Sequence, residues 1–160
     1  MPQFPLNVRI IAVGKIKGSH FAAASADYLE RLCHYLEVEV VEVRTTLGKG
    51  KPEALALIDE GRELLRHLRE EAKLIALQSD GIQPTSEGFA QALQKNLAGS
   101  SRKIDFIIGG AAGLSAEVLQ QSQERLSLSA MTLPHELARV VLLEQLYRAC
   151  TIMRGEKYHK

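Results

Sequence analysis

Apolar and polar positions along the chain fall into two alternating textures. Runs rich in β-branched residues occupy 8–14 (VRIIAVG), 38–43 (VEVVEV), 73–78 (KLIALQ), 103–110 (KIDFIIGG) and 126–133 (LSLSAMTL). Each has the length and residue types of a strand. Between them apolar residues recur at helical spacing over about 20–36, 52–71, 84–98 and 115–124, and again over 135–153. Pro52 and Pro134 suit first-turn positions, and Ser115 with Glu117 reads as a helix cap. Gly81, Gly99 and Gly113 mark element ends. Five strands alternating with five helices predict an α/β fold with a parallel sheet. FIIGG is apolar throughout, as a strand covered on both faces must be.

The last helix departs from the pattern. Leu137, Val140, Val141, Leu142, Leu143, Leu146, Tyr147, Ile152 and Met153 fall almost all round its axis. A terminal helix of one doubly wound unit needs only one buried face, so the rest predicts contact with a second copy of the chain; the alternative is a helix sunk centrally in one domain. The loop TTLGKGKPE, with two glycines and two lysines, reads as mobile and basic.

Composition narrows the class. With 160 residues, 46% hydrophobic and 24% charged, the chain has the size and balance of one globular domain spanning 1–160. The formal net charge is +1, so any basic surface for nucleic acid must be local. The N-terminus lacks a secretory signal pattern and no apolar run reaches membrane-spanning length, which predicts a cytoplasmic protein without a membrane partner. Cys33 and Cys150 are too few for a disulfide framework or a zinc site.

Ligands of open parallel sheets bind beyond the carboxyl ends of the strands. Those ends are predicted at Gly14-Lys15, Arg44-Thr45, Gln78 to Gly81, Gly109-Gly110 and Leu133-Pro134. Neither GKIKG after the first strand nor GGAAG after the fourth is a dinucleotide fingerprint, and no Walker lysine motif is present. Hydride transfer and nucleotide hydrolysis are therefore unsupported. Gly109 to Gly113 suit either a tight turn or close backbone approach to a ligand. His135, at a helix start, reads as a capping or packing residue.

FIIGGAAGLS, LSLSAMTLPHELARVVLLEQLYRA and the closing RGEKYHK resemble the SPOUT methyltransferases. The similarity is to the small members that methylate N3 of a pseudouridine in 23S rRNA, and it runs essentially the whole chain, including AVGK in the first strand. Two departures are Ala111-Ala112, where many relatives carry Pro and Glu, and Gln78, where Asp is common. The first weakens any role for a loop carboxylate.

The resemblance implies a parallel-sheet α/β knot, with the C-terminal segment threaded through an earlier loop. It implies S-adenosylmethionine as cofactor and no metal. Leu77 and Gly109 would contact the cofactor, and Leu128, Ser129, Ala130, Met131, Thr132 and Leu133 would wrap its adenosine. It also implies a homodimer in which the tail of one subunit reaches the other's cofactor, with Arg154, Tyr158 and His159 at the catalytic centre. Arg154 and Lys157 suit phosphates, Tyr158 suits stacking on an unpaired base, and His159 suits proton transfer. The implied partner is 23S rRNA, in the large subunit or the assembled ribosome. A catalytically silent RNA-binding or ribosome-assembly factor on the same fold, or an enzyme acting on another RNA, are the alternatives.

Overall fold

The computed structural model describes residues 1–160. β1 (Asn7–Val13), β2 (Glu37–Val43), β3 (Lys73–Ile82), β4 (Lys103–Ile108) and β5 (Glu124–Leu126) form one sheet in the order β2-β1-β4-β3-β5. Every neighbouring pair is parallel, as the alternation of textures predicts. The helices are α1 (Ser19–Leu32), α2 (Glu53–Arg66), α3 (Ser86–Ala98), α4 (Ala116–Gln121) and α5 (His135–Arg154).

The pleat of the central strands sorts side chains to two cores. Val8, Ile10 and Ala12 of β1, with Ile104, Phe106 and Ile108 of β4, meet Leu32, Phe89, Leu93, Leu142, Leu143 and Leu146 from α1, α3 and α5. On the opposite face Ile11, Val13 and Ile107 meet Leu64 and Val118 from α2 and α4. Burial on both faces explains the continuous apolar runs of β1 and β4. Phe89 meets Phe106 edge-on, with centroids 6.4 Å apart.

The caps follow the sequence closely. Ser115 accepts from Val118 N at 3.4 Å. Pro52 and Pro134 stand one residue earlier than their predicted first-turn places, at the N-cap of α2 and α5. α5 closes at Gly155, left-handed at φ 69°, whose N–H and that of Glu156 return to Ile152 and Thr151 carbonyls.

β5 corrects a prediction. The strand expected over 126–133 ends at Leu126, and 127–134 is a loop. The alternation of Leu and Ser imitates a strand, but the serines bond locally instead. Ser127 Oγ donates to Ser129 O at 3.0 Å, and Ser129 Oγ accepts from Met131 N at 3.0 Å. Such bonds compete with a ladder and bend the chain. β3 conversely runs on through Gly81, which was expected to end it. A Cβ there would lie 2.5 Å from Arg125 O, so only glycine lets β3 and β5 approach this closely.

α5 lies on the sheet between α1 and α3. Leu142, Leu143, Leu146, Ala149 and Cys150 are fully buried beneath it. Leu137, Val140, Val141 and Ile152 remain partly exposed. No helix of the chain is long and apolar enough to cross a membrane.

Candidate functional site

Two cavities open side by side at the carboxyl ends of the strands. The first, of about 600 Å³, lies beyond β3, β4 and β5 and is walled by Leu77, Ile108, Leu126, Leu128, Met131 and Leu133. Gly109, Ser129 and Thr132 also line it, whereas Ala130 does not. Seven of the eight residues named for the cofactor therefore converge on one cavity. Ala130 is exposed and stands outside the lining set. Met131 is 79% exposed although it lines the cavity.

Of the two readings of Gly109 to Gly113, the contacts of Gly109 match the tight turn. A Cβ there would meet Gly113 O at 2.5 Å and Leu114 Cδ2 at 3.1 Å. Its smallness closes the 109–113 turn, in which Gly113 N donates to Gly110 O at 3.0 Å and Gly113 has φ +82°. The turn then presents backbone to the cavity.

The second cavity, of about 530 Å³, lies beyond β1 and β2. Lys15, Lys17, Arg44 and Lys49 line it, with Glu42 and Glu136. Gly110, Ala111 and His135 line both cavities. They stand where β4 meets β1, the point from which the connections run to opposite sides of the sheet. His135 thus forms part of the partition, with a buried Nδ1 that has no hydrogen-bond partner. Its sequence signal was only that it opens a helix directly after LSLSAMTLP.

The first turn of α5 braces the surrounding loops. Glu136 accepts from Lys17 N at 2.8 Å and Gly18 N at 3.3 Å; the Lys17 N–H is the chief cause of its lowered pKa. Arg139, 2% exposed, donates to Gly14 O at 2.8 Å and to Glu42 Oε2 at 2.5 Å. From below, buried Glu60 accepts from Thr45 Oγ1 at 2.6 Å and Thr46 N at 3.3 Å, fixing the stem of the glycine-lysine loop.

The tail residues go elsewhere. Arg154, Tyr158 and His159 line neither cavity of their own chain. After Gly155 the chain doubles back along α5. Tyr158 packs edge-on against Tyr147 with centroids 4.8 Å apart, and Arg148 covers its ring at 4.8 Å. His159 Nδ1 lies 3.2 Å from Arg148 Nη1. Arg154 pairs loosely with Glu156 at 3.7 Å. Burial, chiefly, pushes the Tyr158 phenol up to about 12, so at neutral pH it is a donor and a stacking surface rather than a base.

Known proteins fit this geometry. The family model described as "Predicted SPOUT methyltransferase" matches residues 6–159. The chain belongs to the SPOUT methyltransferase family. Proteins named ribosomal RNA large subunit methyltransferase H from Bacillus cytotoxicus and Bacillus thuringiensis are 45% and 44% identical over 97% of this chain and 100% of their own length. Among solved structures, a Legionella pneumophila protein in complex with the bound cofactor SAM covers 91% of this chain and 67% of its own at TM-score 0.51 and 16% identity. The A. aeolicus TrmH/SpoU tRNA modifying enzyme covers 96% and 80% at TM-score 0.54 and 12% identity. These distant structures share the fold.

The apolar cavity has the chemistry that S-adenosylmethionine requires. Its leucine lining suits an adenine ring, and the 109–113 and 127–133 segments at its rim are the backbone that could meet the ring's edge.

Proposed function

We propose that this protein is an S-adenosylmethionine-dependent methyltransferase acting on N3 of a pseudouridine in 23S rRNA of the large ribosomal subunit. The observation that carries the reading is the seven-residue convergence on one apolar cavity, in a chain that matches large-subunit rRNA methyltransferases over nearly its whole length. When bound, S-adenosylmethionine would supply an electrophilic methyl group for N3, with the imide proton passing to a base of the protein. The apolar walls Leu77, Leu128, Met131 and Leu133 hold the adenosine and exclude water. The 109–113 turn sets the floor against which the acceptor nitrogen is aligned.

The protein acts in the cytoplasm as one domain of the knotted α/β form that the family resemblance implies. It acts as a homodimer through the outer face of α5. His159 accepts or relays the imide proton, Tyr158 stacks on the base and Arg154 engages phosphate, all in the partner's site. Support for action in trans comes from the tail's path, which avoids the cavities of its own chain. Mass spectrometry of 23S rRNA from cells with and without the protein tests the reaction. Loss of one methyl from one pseudouridine is expected. An unchanged modification pattern together with tight cofactor-free binding to subunits would favour a silent assembly factor.

A further inference from the structure

The basic cavity beyond β1 and β2 is lined by none of the residues assigned to the cofactor. Its four cations, Lys15, Lys17, Arg44 and Lys49, enter no ion pair, whereas ten of the chain's twenty lysines and arginines do. The nearby carboxylates are already engaged. Glu42 is held by Arg139, Glu136 by the Lys17 and Gly18 backbone, and Glu60 by Thr45 and Thr46. Only Glu42 is offset by a cation, whereas Glu136 and Glu60 keep their charge; four cations against these two carboxylates still leave an excess of positive charge in one concave place of a chain of net charge +1.

We infer that this cavity is the acceptor-strand site, taking the sugar and phosphates beside the target nucleotide of a single-stranded RNA segment. The inference rests on the methyltransferase reading above. The volume of about 530 Å³ suits a nucleotide and not a duplex. Enzymes that modify a base take it from a loop or out of the stack. The shared wall of Gly110, Ala111 and His135 is the boundary that the base crosses to meet the methyl group. Small residues at 110 and 111 keep that boundary low. The lysines are positioned in advance: Glu136 fixes the backbone at Lys17, Arg139 fixes the end of β1, and Glu60 fixes the stem of the loop bearing Lys49. Glu136 and Arg139 follow directly on the 127–134 wall, so one continuous segment frames both cavities. They are positioning residues.

The test compares Lys15→Gln/Lys17→Gln and Lys49→Gln with the control Lys95→Gln/Lys103→Gln, which removes unpaired charge elsewhere. The substrate is purified large subunits from cells lacking this protein. For the double cavity variant, KM for subunits is expected to rise about tenfold, with kcat within about threefold. The salt dependence of subunit binding should weaken by about 0.7 per lysine removed. Cofactor affinity by calorimetry and sedimentation should not change, and Lys15→Arg/Lys17→Arg should restore KM. A KM no different from the control's overturns the inference. So does a change confined to cofactor affinity or to the oligomer, which would give the cavity to the cofactor or to the partner subunit. Filter binding of subunits makes the same comparison without turnover. A wild-type protein that binds subunits but transfers no methyl therefore removes the catalytic reading while the cavity is still tested.

Discussion

His159 Nε2 lies 2.7 Å from Glu87 Oε1, which fastens the end of the chain to the first turn of α3 in the same subunit. The hydrogen bond from His159 is the chief cause of the lowered Glu87 pKa. Thr85 ahead of α3 and Arg148 and Glu144 on α5 surround the same cluster.

The sign of the pH dependence follows. Glu87 has a lower pKa in the fastened state than in a free chain, so its contribution is present above the ordinary glutamate value. It is lost as pH falls through the depressed folded value. The ring signals of Tyr158 in NMR spectra should therefore shift toward those of an undocked tail as pH falls below the ordinary glutamate range. In Glu87→Gln that acid-dependent shift should vanish. An identical shift in the variant would show that the tail is fastened by something else.

Arg69 and Asp105 brace the far end of the sheet. Asp105 is fully buried and accepts from Arg69 N and Nε, each at 2.8 Å. Arg69 also reaches Ile104 O at 3.0 Å and Asn7 O at 3.1 Å, tying β1 to β4. Arg69→Ala should cost ~3–5 kcal/mol, because it strands a buried carboxylate. Cofactor affinity should be unchanged, since the site is at the opposite strand ends. Urea unfolding with calorimetry of the variant checks both; a loss of affinity at constant stability would contradict the separation.

Gly61 sets local preference against packing. Alanine is the better helix former by ~1 kcal/mol. Yet a Cβ at Gly61 would collide with Ser115 Oγ and lie 3.0 Å from Ser115 Cβ and 3.3 Å from Val118 Cγ2. Gly61→Ala should destabilise by about 1–3 kcal/mol, and Ser115→Ala made in the same chain should recover part of it. Additive losses in that double-mutant cycle would deny the contact.

What the sequence discloses follows from range. β1 and β4 are legible because a strand buried on both faces must be apolar at every position. Residues 127–133 mislead because Ser127 and Ser129 find their partners two residues away, information that alternation does not carry. Gly109 and Leu133 were marked by strand ends, but Leu77 and Leu128 to Thr132 became candidates only through resemblance to a family; no charged motif marks an apolar cavity. The basic cavity joins residues near 15, 45, 110 and 135, and only the strand order β2-β1-β4 brings those loops together. Gly61 looks like a defect in a helix until Ser115 is seen beside it.

The outer face of α5 should bury against a second copy. Val140 and Val141 are partly exposed in the single chain, although the helix carries apolar residues nearly all round. Sedimentation at micromolar concentration should give a dimer, and Val140→Asp should give a folded monomer. A wild-type monomer under the same conditions would remove both the interface and the composite site.

The tail's role can be separated from its fold by complementation. One chain carries Leu133→Arg, which places a cation in the apolar cofactor wall. Leu133 lies outside the buried core, so the fold should persist; Gly109→Val is unsuitable, because its Cβ would press on the Gly113 carbonyl. The second chain stops after Met153, which removes Arg154, Tyr158 and His159 together with the Glu156 contact to Tyr35. Circular dichroism and cofactor calorimetry establish that it still folds and binds. Each homodimer should be inactive. In a mixed dimer, action in trans gives one complete site, built from the truncated chain's pocket and the other chain's tail. Action in cis gives none, because neither chain carries both parts. Purified mixed dimers should then methylate large subunits at about half the wild-type rate per dimer, one site remaining of two. Inactive mixed dimers whose truncated subunit still binds cofactor would return the tail to its own chain, where the contacts of His159 with Glu87 and Arg148 would have to open before it could reach the cavity.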